Sequence, residues 1–240
     1  MKTRLDRLLV DRGLVESREK AQALIMAGEV LLNGQKASKP GQAVDGDAAV
    51  EVLARPQYVS RGGLKLAAAL QHFAIDVAGK VCLDIGSSTG GFTDALLQAG
   101  ASRVHAVDVG AGQLAWRLRT DPRVRLHEGI NARELRPDEI GEPADILTCD
   151  VSFISVTLIL PAAVALLQAP GQMVILIKPQ FEVGKGQVGK GGIVRDPQLH
   201  QAACHRVNGA VREFGFETSI MDSPILGAEG NKEFLLYAHH

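Results

Sequence analysis

The fold is decided by the stretch Asp84-Ile85-Gly86-Ser87-Ser88-Thr89-Gly90-Gly91-Phe92, which overlaps the end of the apolar run Val81–Ile85. The run predicts a buried strand, and glycines after it let the backbone turn tightly and approach a ligand at the strand's carboxyl end. The spacing G-x-x-x-G-G differs from the G-x-G-x-x-G of dinucleotide-binding folds, and no lysine follows as in a P-loop. We therefore expect a nucleoside-binding loop, with a ligand-free glycine turn as the alternative.

Strands and helices alternate outward from this loop. Apolar runs predict strands at 81–85, 103–107, 124–127, 145–149, 172–177, 216–221 and 234–238. Helices are predicted between most of them, at 63–73, 91–99, 112–119, 157–168 and 197–214. This alternation predicts an α/β, Rossmann-like fold with a mostly parallel seven-stranded sheet. The Gly-, Pro- and Asn-rich segment 222–232 favours a hairpin, so the last strand should be antiparallel.

The amino-terminal segment has a different pattern, that of a small α+β domain. A leucine stripe ends at Gly13, Ser17 is suited to cap a second helix, and Asn33-Gly34 is a strong hairpin signal. A closing strand is expected at Ala48–Leu53, and the segment 54–60 around Pro56 is suited to connect two domains. The predicted domains are therefore 1–58 and 59–240.

Composition limits the classes of protein that are possible. The 240 residues are 46% apolar and 22% charged, with a net charge of −1, so a uniformly basic nucleic-acid binder is excluded. Residues 1–40 nevertheless carry eight basic against five acidic side chains. Three widely spaced cysteines argue for a reducing compartment. Without a signal-peptide pattern or a run long enough to span a membrane, we expect a cytoplasmic protein and no membrane partner.

Several residues near the glycine loop are candidates for holding a nucleoside. Asp108 ends the second strand, where a carboxylate can accept hydrogen bonds from ribose hydroxyls, although a solvated aspartate is the plain alternative. Asn131, after the third strand, could border the base or simply form a turn. The candidate cofactor-binding residues are Asp84, Gly86, Ser87, Gly90, Gly91, Phe92, Asp108 and Asn131.

Two charged residues end neighbouring strands at the same edge. Asp150 follows the fourth strand, and Lys178 closes the apolar run Met173–Ile177. A lysine there is costly unless it is paired or functional, so either a salt bridge or a reactive site is expected. Lys65 and Glu233, taken alone, are typical of solvated charges. His200 and Cys204 share a helix face but lack a third ligand, so no metal site is expected.

Over nearly its whole length the sequence resembles a known family. Its first part is similar to the S-four-type RNA-binding domain, on the motifs Arg4-Leu5-Asp6, Arg12-Gly13-Leu14, Ser17-Arg18, Asn33-Gly34 and Lys39-Pro40-Gly41. The remainder resembles TlyA, a bacterial family known as haemolysin and as ribosomal RNA 2′-O-methyltransferase and related to FtsJ. These motifs are Ser60-Arg61-Gly62-Gly63-Leu64-Lys65-Leu66, the 84–92 loop, Cys149-Asp150-Val151-Ser152-Phe153 and Ile177-Lys178-Pro179-Gln180-Phe181-Glu182.

The resemblance implies a chemistry and a partner. FtsJ-like enzymes use a Lys-Asp-Lys-Glu tetrad, which by motif would be Lys65, Asp150, Lys178 and Glu233; Glu229 is a nearby alternative to Glu233. S-adenosylmethionine would be the cofactor, and cytidine 2′-hydroxyls of ribosomal RNA or ribosomal subunits the substrate. Lys178 could take the hydroxyl proton or only orient the hydroxyl while water takes it.

Basic residues suited to RNA phosphates lie in two places. The candidate RNA-binding residues are Arg4, Arg18 and Lys20 in the first domain and Lys185 and Lys190 in the glycine-rich segment 184–192. A plain surface loop is the alternative for that segment. Rival functions are a membrane-active haemolysin, a non-catalytic RNA-binding protein, and a base or protein methyltransferase. The last is disfavoured because Asp150-Val151-Ser152-Phe153 lacks the prolines of base N-methyltransferase motifs.

Overall fold

A computed structural model describes residues 2–53 and 57–240 of the chain. It divides into two compact units, Met1–Gln57 and Tyr58–His240. The division falls one residue before the boundary expected from the sequence, and Tyr58 is buried in the core of the second unit. The expected connecting segment 54–60 lies partly outside the described residues.

The first unit is a small α+β domain built on a leucine-rich core. Its helices are α1 (Leu5–Asp11) and α2 (Arg18–Met26), and its strands are β1 (Lys2–Arg4), β2 (Val30–Leu32), β3 (Gln35–Lys36), β4 (Ala43–Asp45) and β5 (Val50–Val52). Ser17 caps α2 as predicted, because its Oγ accepts a hydrogen bond from the Lys20 backbone N–H at 3.2 Å. Asn33 and Gly34 have φ of 50° and 79° and form the predicted turn between β2 and β3.

Among the described residues of the second unit, seven strands form one sheet in the order β11-β12-β10-β9-β6-β7-β8. The strands are β6 (Val81–Ile85), β7 (Arg103–Asp108), β8 (Val124–Glu128), β9 (Ala144–Cys149), β10 (Leu167–Ile177), β11 (Glu217–Asp222) and β12 (Phe234–His239). The helices are α3 (Gly62–His72), α4 (Gly91–Gln98), α5 (Trp116–Arg119), α6 (Pro137–Ile140), α7 (Leu160–Val164), α8 (Pro179–Glu182) and α9 (Pro197–Arg212).

Two apolar clusters sandwich this sheet, which explains why its central strands are apolar throughout. In β10, Met173, Ile175 and Ile177 enter one cluster. Val174 and Leu176, which alternate with them, enter the other. Both faces of the strand are therefore covered, as predicted for a Rossmann-like sheet.

The strand directions determine where the functional residues meet. The strands β6 to β10 pair in parallel, whereas β12 runs antiparallel to both β10 and β11, which confirms the expected hairpin. Ile177 at the carboxyl end of β10 lies opposite Phe234 at the amino end of β12. The residues that follow β6, β7, β9 and β10 therefore share one edge of the sheet with the residue that precedes β12.

Two predicted helices are shorter than expected. The helix predicted at 112–119 is only Trp116–Arg119. The helix predicted at 157–168 is a 3₁₀ turn at Val156–Leu158 followed by Leu160–Val164, after which β10 already begins. Pro161 lies in the first turn of this short helix, where its missing N–H costs no hydrogen bond, so it marks a helix start.

Candidate functional site

The glycine loop after β6 is held against the neighbouring strand ends. The backbone N–H groups of Gly86 and Ser87 both donate to the Val107 carbonyl, at 2.9 and 3.1 Å. Gly86 has φ of +84°, and a Cβ there would overlap the carbonyl oxygen of Asp150. Glycine is required at this position because both the backbone conformation and the close approach exclude a side chain.

Asp84 lies beneath this loop and does not line either cavity at the sheet edge. Its carboxylate is fully buried and accepts hydrogen bonds from Thr93 Oγ1 at 2.6 Å and Thr148 Oγ1 at 2.9 Å. Burial raises the pKa of Asp84 to about 6. The carboxylate is thus suited to support the loop, and the cofactor-binding role expected of Asp84 stays a prediction.

Gly90 is likewise removed from the cavities, since a Cβ there would overlap the side chains of Leu114 and Leu118. It has φ of +98° at the start of α4, a conformation that favours glycine. Close packing thus requires glycine at this position, and its expected place in the cofactor-binding set stays a prediction. Gly91 and Phe92, by contrast, line the smaller cavity described below.

Asp108 organises the larger cavity. Its Oδ2 accepts a hydrogen bond from the Ser88 N–H and its Oδ1 accepts one from the Gly110 N–H, each at 2.7 Å. Because each carboxylate oxygen has two lone pairs, both oxygens can also accept from ribose hydroxyls. The carboxylate thus fixes two loops and still presents acceptors to a ligand.

The larger cavity has a volume of about 510 Å³, a size typical of small-molecule sites. Val107, Val109 and Ile130 give it apolar walls, while Asp108 and Asn131 provide polar groups. Asn131 Oδ1 accepts a hydrogen bond from the Arg133 N–H at 3.2 Å, which orients the side chain at the wall. Apolar walls with a few fixed polar groups suit a nucleoside.

A smaller cavity of about 180 Å³ adjoins the larger one, because Gly86, Ser88, Asp150 and Ser152 line both. The other residues of its wall include Lys65, Lys178, Ser60, Ser87, Gly91 and Phe92. Ser87 Oγ is buried and has no hydrogen-bond partner among the described residues. Such an atom is costly unless a ligand or water supplies the partner, so this wall is suited to a polar ligand group.

Two ion pairs lie at the smaller cavity, whose wall includes Lys65, Asp150 and Lys178. Lys178 Nζ lies 2.6 Å from Asp150 Oδ1 and donates to Ser152 Oγ at 2.8 Å. Lys65 Nζ donates to Glu233 Oε2 at 2.5 Å, and both of these residues are buried. The structure therefore brings together all four residues of the expected tetrad. Glu229 lies on the exposed turn before Glu233.

Each member of the tetrad is positioned by a different element. Asp150 is fixed at the end of β9, where its N–H donates to the Ile85 carbonyl at 2.9 Å. Lys178 directly precedes α8, which begins at Pro179 and turns the chain away from the sheet. Glu233 immediately precedes β12, and Lys65 lies in the first turn of α3. Their convergence depends on the antiparallel last strand.

Sequence reasoning missed two supporting groups. Ser152 Oγ accepts the hydrogen bond that Lys178 Nζ donates at 2.8 Å. Glu182 is buried and accepts from Ser155 Oγ at 2.6 Å and the Val156 N–H at 2.8 Å, which ties α8 to the loop after Asp150. Burial raises the pKa of the Glu182 carboxyl. Both residues lie inside quoted motifs, but no spacing rule indicates which side chain faces inward.

Two of the basic residues expected to contact RNA, Arg4 and Arg18, surround one buried carboxylate in the first unit. Asp6 is fully buried and accepts from Arg4 Nη2 at 2.8 Å and from Arg18 Nε at 3.0 Å. These arginines remain half exposed, at 49% and 53% of their side chains. Lys20 pairs with Glu16 at 2.8 Å.

The glycine-rich segment carries the other two expected RNA contacts. Lys190 is exposed in a 3₁₀ turn, Lys190–Gly192, of the second unit. The side chain of Lys185 lies outside the described part of the chain.

Comparison with known proteins gives the same division of the chain. Residues 58–240 match the family profile described as FtsJ-like methyltransferase, and residues 3–50 match that of the S4 domain. The chain is 48% identical over 239 residues to the 16S/23S rRNA (cytidine-2′-O)-methyltransferase TlyA of Mycobacterium tuberculosis, covering 98% of this chain and 89% of that protein.

Solved structures that are similar to this chain include a hemolysin and a methyltransferase. A structure named as a hemolysin of Streptococcus thermophilus is 44% identical with a TM-score of 0.75, covering 99% of this chain and 88% of that one. An O-methyltransferase of Bacillus cereus in complex with SAH shares the fold at 18% identity and a TM-score of 0.54, covering 78% and 84%. No helix within residues 2–53 and 57–240 is long and apolar enough to cross a bilayer.

Proposed function

We propose, because this chain belongs to the FtsJ-like methyltransferase family, that it transfers a methyl group from S-adenosylmethionine to the 2′-oxygen of a cytidine in ribosomal RNA. One observation carries the proposal: the pairs Lys178–Asp150 and Lys65–Glu233 meet beside a nucleoside-sized cavity. These are the four residues that the resemblance to FtsJ-like enzymes implies for ribose methylation, and they lie at the carboxyl-end crevice where such folds bind ligands.

The residues of the two cavities fit S-adenosylmethionine. Asp108 would accept hydrogen bonds from the ribose hydroxyls, and Asn131 would border the base in the larger cavity. The unpartnered Ser87 Oγ would bind a polar group of the amino-acid part, close to Gly86 where the backbone leaves no room for a side chain. When bound, the cofactor supplies an electrophilic methyl group on a sulfonium ion.

Lys178 holds the acceptor hydroxyl. A lysine ammonium has three N–H donors. Lys178 donates one of them to Ser152 Oγ, and its Nζ forms an ion pair with Asp150 Oδ1 at 2.6 Å. These two contacts leave an N–H that is free to donate to the ribose 2′-oxygen and to stabilise the negative charge that develops on it. Lys178 Nζ is directed at a carboxylate and a hydroxyl that hold it in place, so we assign Lys178 the orienting role and solvent water the proton.

The second ion pair stabilises the opposite side of the small cavity. Glu233 holds the Lys65 ammonium in a buried position, where low dielectric strengthens its field. Lys65 thereby presents a fixed positive charge to the reacting oxygen. Correct orientation of two reacting groups alone can supply roughly 7–11 kcal/mol of a barrier, which is the effect assigned to this rigid constellation.

Arg4 and Arg18 of the first unit would bind the RNA backbone. Arg4 donates to the Asp6 carboxylate through Nε and Nη2, and Arg18 donates to it through Nε, so one buried carboxylate orients both guanidinium groups. Guanidinium groups with a fixed orientation are suited to phosphate oxygens. We propose ribosomal RNA or an assembled ribosomal subunit as the partner.

A methyl-transfer assay tests this proposal. Ribosomal subunits from cells that lack the protein should accept radiolabelled methyl from S-adenosylmethionine when the wild-type chain is added. Lys178→Ala should lose at least about a hundredfold in turnover, because the acceptor oxygen is no longer positioned. Its affinity for S-adenosylhomocysteine should stay within about twofold, since the side chain lies beyond the nucleoside cavity.

The matched control is Lys80→Ala, a half-buried lysine before β6 that lines neither cavity. Equal turnover of Lys178→Ala and Lys80→Ala would refute the assigned chemistry. No transfer by the wild-type protein to either subunit would refute the substrate.

A further inference from the structure

Asn231 connects two segments beside the site through its side chain. Oδ1 accepts a hydrogen bond from the Val194 N–H at 3.1 Å, and Nδ2 donates to the carbonyl oxygens of Gly192 at 3.0 Å and Ala228 at 3.2 Å. The residue is 3% exposed. All three partners are backbone groups, so the amide connects the segments independently of their side chains.

One of these segments is the turn that leads to Glu233. Glu229 and Gly230 have φ of 54° and 85°, and the Gly227 N–H closes the turn by donating to the Asn231 carbonyl at 2.8 Å. A Cβ at Gly227 would overlap the Glu233 carboxylate. The shape of the turn therefore sets the space in which Glu233 meets Lys65.

The other segment is the end of the glycine-rich loop. The Gly189 N–H donates to the Ile193 carbonyl at 3.1 Å, and this ring encloses the exposed Lys190. His200 Nε2 lies 2.8 Å from the Val194 carbonyl, which fixes the far end of the loop to α9. The Asn231 side chain bonds Gly192 and Val194, next to the Gly189–Ile193 ring and the His200 contact. It thereby joins this loop to the turn before β12.

We propose that Asn231 is a positioning residue for methyl transfer, which ties the glycine-rich loop to the turn that carries Glu233. It touches neither cofactor nor substrate. It fixes Glu233, and through it Lys65, relative to a loop whose Lys190 is suited to RNA phosphates. The position of the glycine-rich loop and the geometry of the Lys65–Glu233 ion pair are then fixed by the same side chain. The inference rests on the proposed methyltransferase function and adds a residue that no tetrad motif contains.

The chemistry of the side chain argues against a role in packing alone. A buried amide is costly unless its donors and acceptor are satisfied, and an apolar residue of similar size would fill the space more cheaply. Among the standard side chains only the amides offer two donors and an acceptor at one planar group. The contacts of Asn231 use both kinds of atom: Oδ1 and Nδ2 both bind the glycine-rich loop, and Nδ2 also binds the turn at Ala228.

The test compares Asn231→Ala with Asn208→Ala in the full chain. Asn208 is a half-buried asparagine of α9 whose Oδ1 accepts from Thr218 Oγ1 at 2.5 Å, away from both cavities. With radiolabelled S-adenosylmethionine and saturating ribosomal subunits, Asn231→Ala should lose about tenfold in kcat, since misplacement of a reacting group lowers the rate steeply. Asn208→Ala should stay within about twofold of wild type.

A double variant separates positioning from general damage. If Asn231 acts through Glu233, then Asn231→Ala/Glu233→Ala should turn over within about twofold of Glu233→Ala alone. A residue that only stabilises the fold would lower both backgrounds equally. Asn231→Ser, whose hydroxyl can keep part of the bonding, should give a kcat between those of wild type and Asn231→Ala, and it replaces Asn231→Ala if that variant does not fold.

Limited trypsin digestion provides a measurement that needs no activity. Cleavage after Lys190 should be faster in Asn231→Ala than in Asn208→Ala or wild type, because the loop has lost its tie. Equal cleavage, an undiminished kcat, or a loss that is additive with Glu233→Ala would overturn the inference. A wild-type chain that transfers no methyl would instead overturn the proposed function, while digestion would still decide whether Asn231 anchors the loop.

Discussion

Lys65→Met tests whether the Lys65–Glu233 pair is a buried unit of the fold. Lys65 is 8% exposed and Glu233 is 2% exposed, with 2.5 Å between their charged atoms. Methionine keeps the length of the side chain but leaves the Glu233 carboxylate without its ion-pair partner. Breaking a buried pair in this way costs about 3–5 kcal/mol. For a domain of this size, with roughly 2–4 °C per kcal/mol, the Tm should fall by at least about 6 °C.

The control uses the same substitution at an exposed pair of the same unit. Lys232 lies 2.8 Å from Asp222, and their side chains are 45% and 64% exposed. Lys232→Met should cost less than about 1 kcal/mol, because exposed pairs contribute little. Adding Glu233→Gln to Lys65→Met should recover part of the loss, since the buried charge is removed. Calorimetric unfolding measures all four proteins, and equal losses in Lys65→Met and Lys232→Met would refute the reasoning.

Three further results are expected. Because burial raises the pKa of Asp84 to about 6, the folded state binds its proton more tightly than the unfolded chain. Wild-type stability should therefore fall by on the order of 3 kcal/mol as pH rises from about 4 to about 6, relative to Asp84→Asn in chemical denaturation. Gly86→Ala should abolish binding of S-adenosylhomocysteine in calorimetry, whereas Gly112→Ala, where φ is +73° but a Cβ meets nothing within 4 Å, should keep it. Arg18→Gln should weaken binding to ribosomal RNA and reduce its log–log salt slope by about one in filter binding, whereas Lys36→Gln should not.

The strands of the sheet could be predicted, because a strand that is buried on both faces is a continuous run of apolar residues in the sequence. The run Met173–Ile177 is apolar on both faces, and the structure packs both faces of β10. The turn at Asn33-Gly34 was equally predictable, because positive φ restricts the residue types. Pairing of β1 with β4 was not predictable, since three-residue strands are too short to show alternation.

The sequence predicts which residues meet at the site, but it predicts only part of what each residue does there. Motif order indicated Lys65, Asp150, Lys178 and Glu233, and strand direction explains why they converge. Asp84 shares a motif with the loop, yet its carboxylate faces Thr93 and Thr148 in the interior. The direction in which a side chain points depends on packing against residues that are distant in sequence. The spacing of residues within a motif does not predict it.

The atom that receives the methyl group distinguishes ribose methylation from methylation of a base or of a protein. Ribosomal RNA from cells that lack the protein should be incubated as intact subunits with the wild-type chain and S-adenosylmethionine, then digested to nucleosides and analysed by mass spectrometry. The proposed site predicts that 2′-O-methylcytidine increases with wild type and not with Lys178→Ala, in which the acceptor hydroxyl is no longer held. Methyl groups found on base nitrogens or on ribosomal proteins, with no increase in 2′-O-methylcytidine, would contradict it.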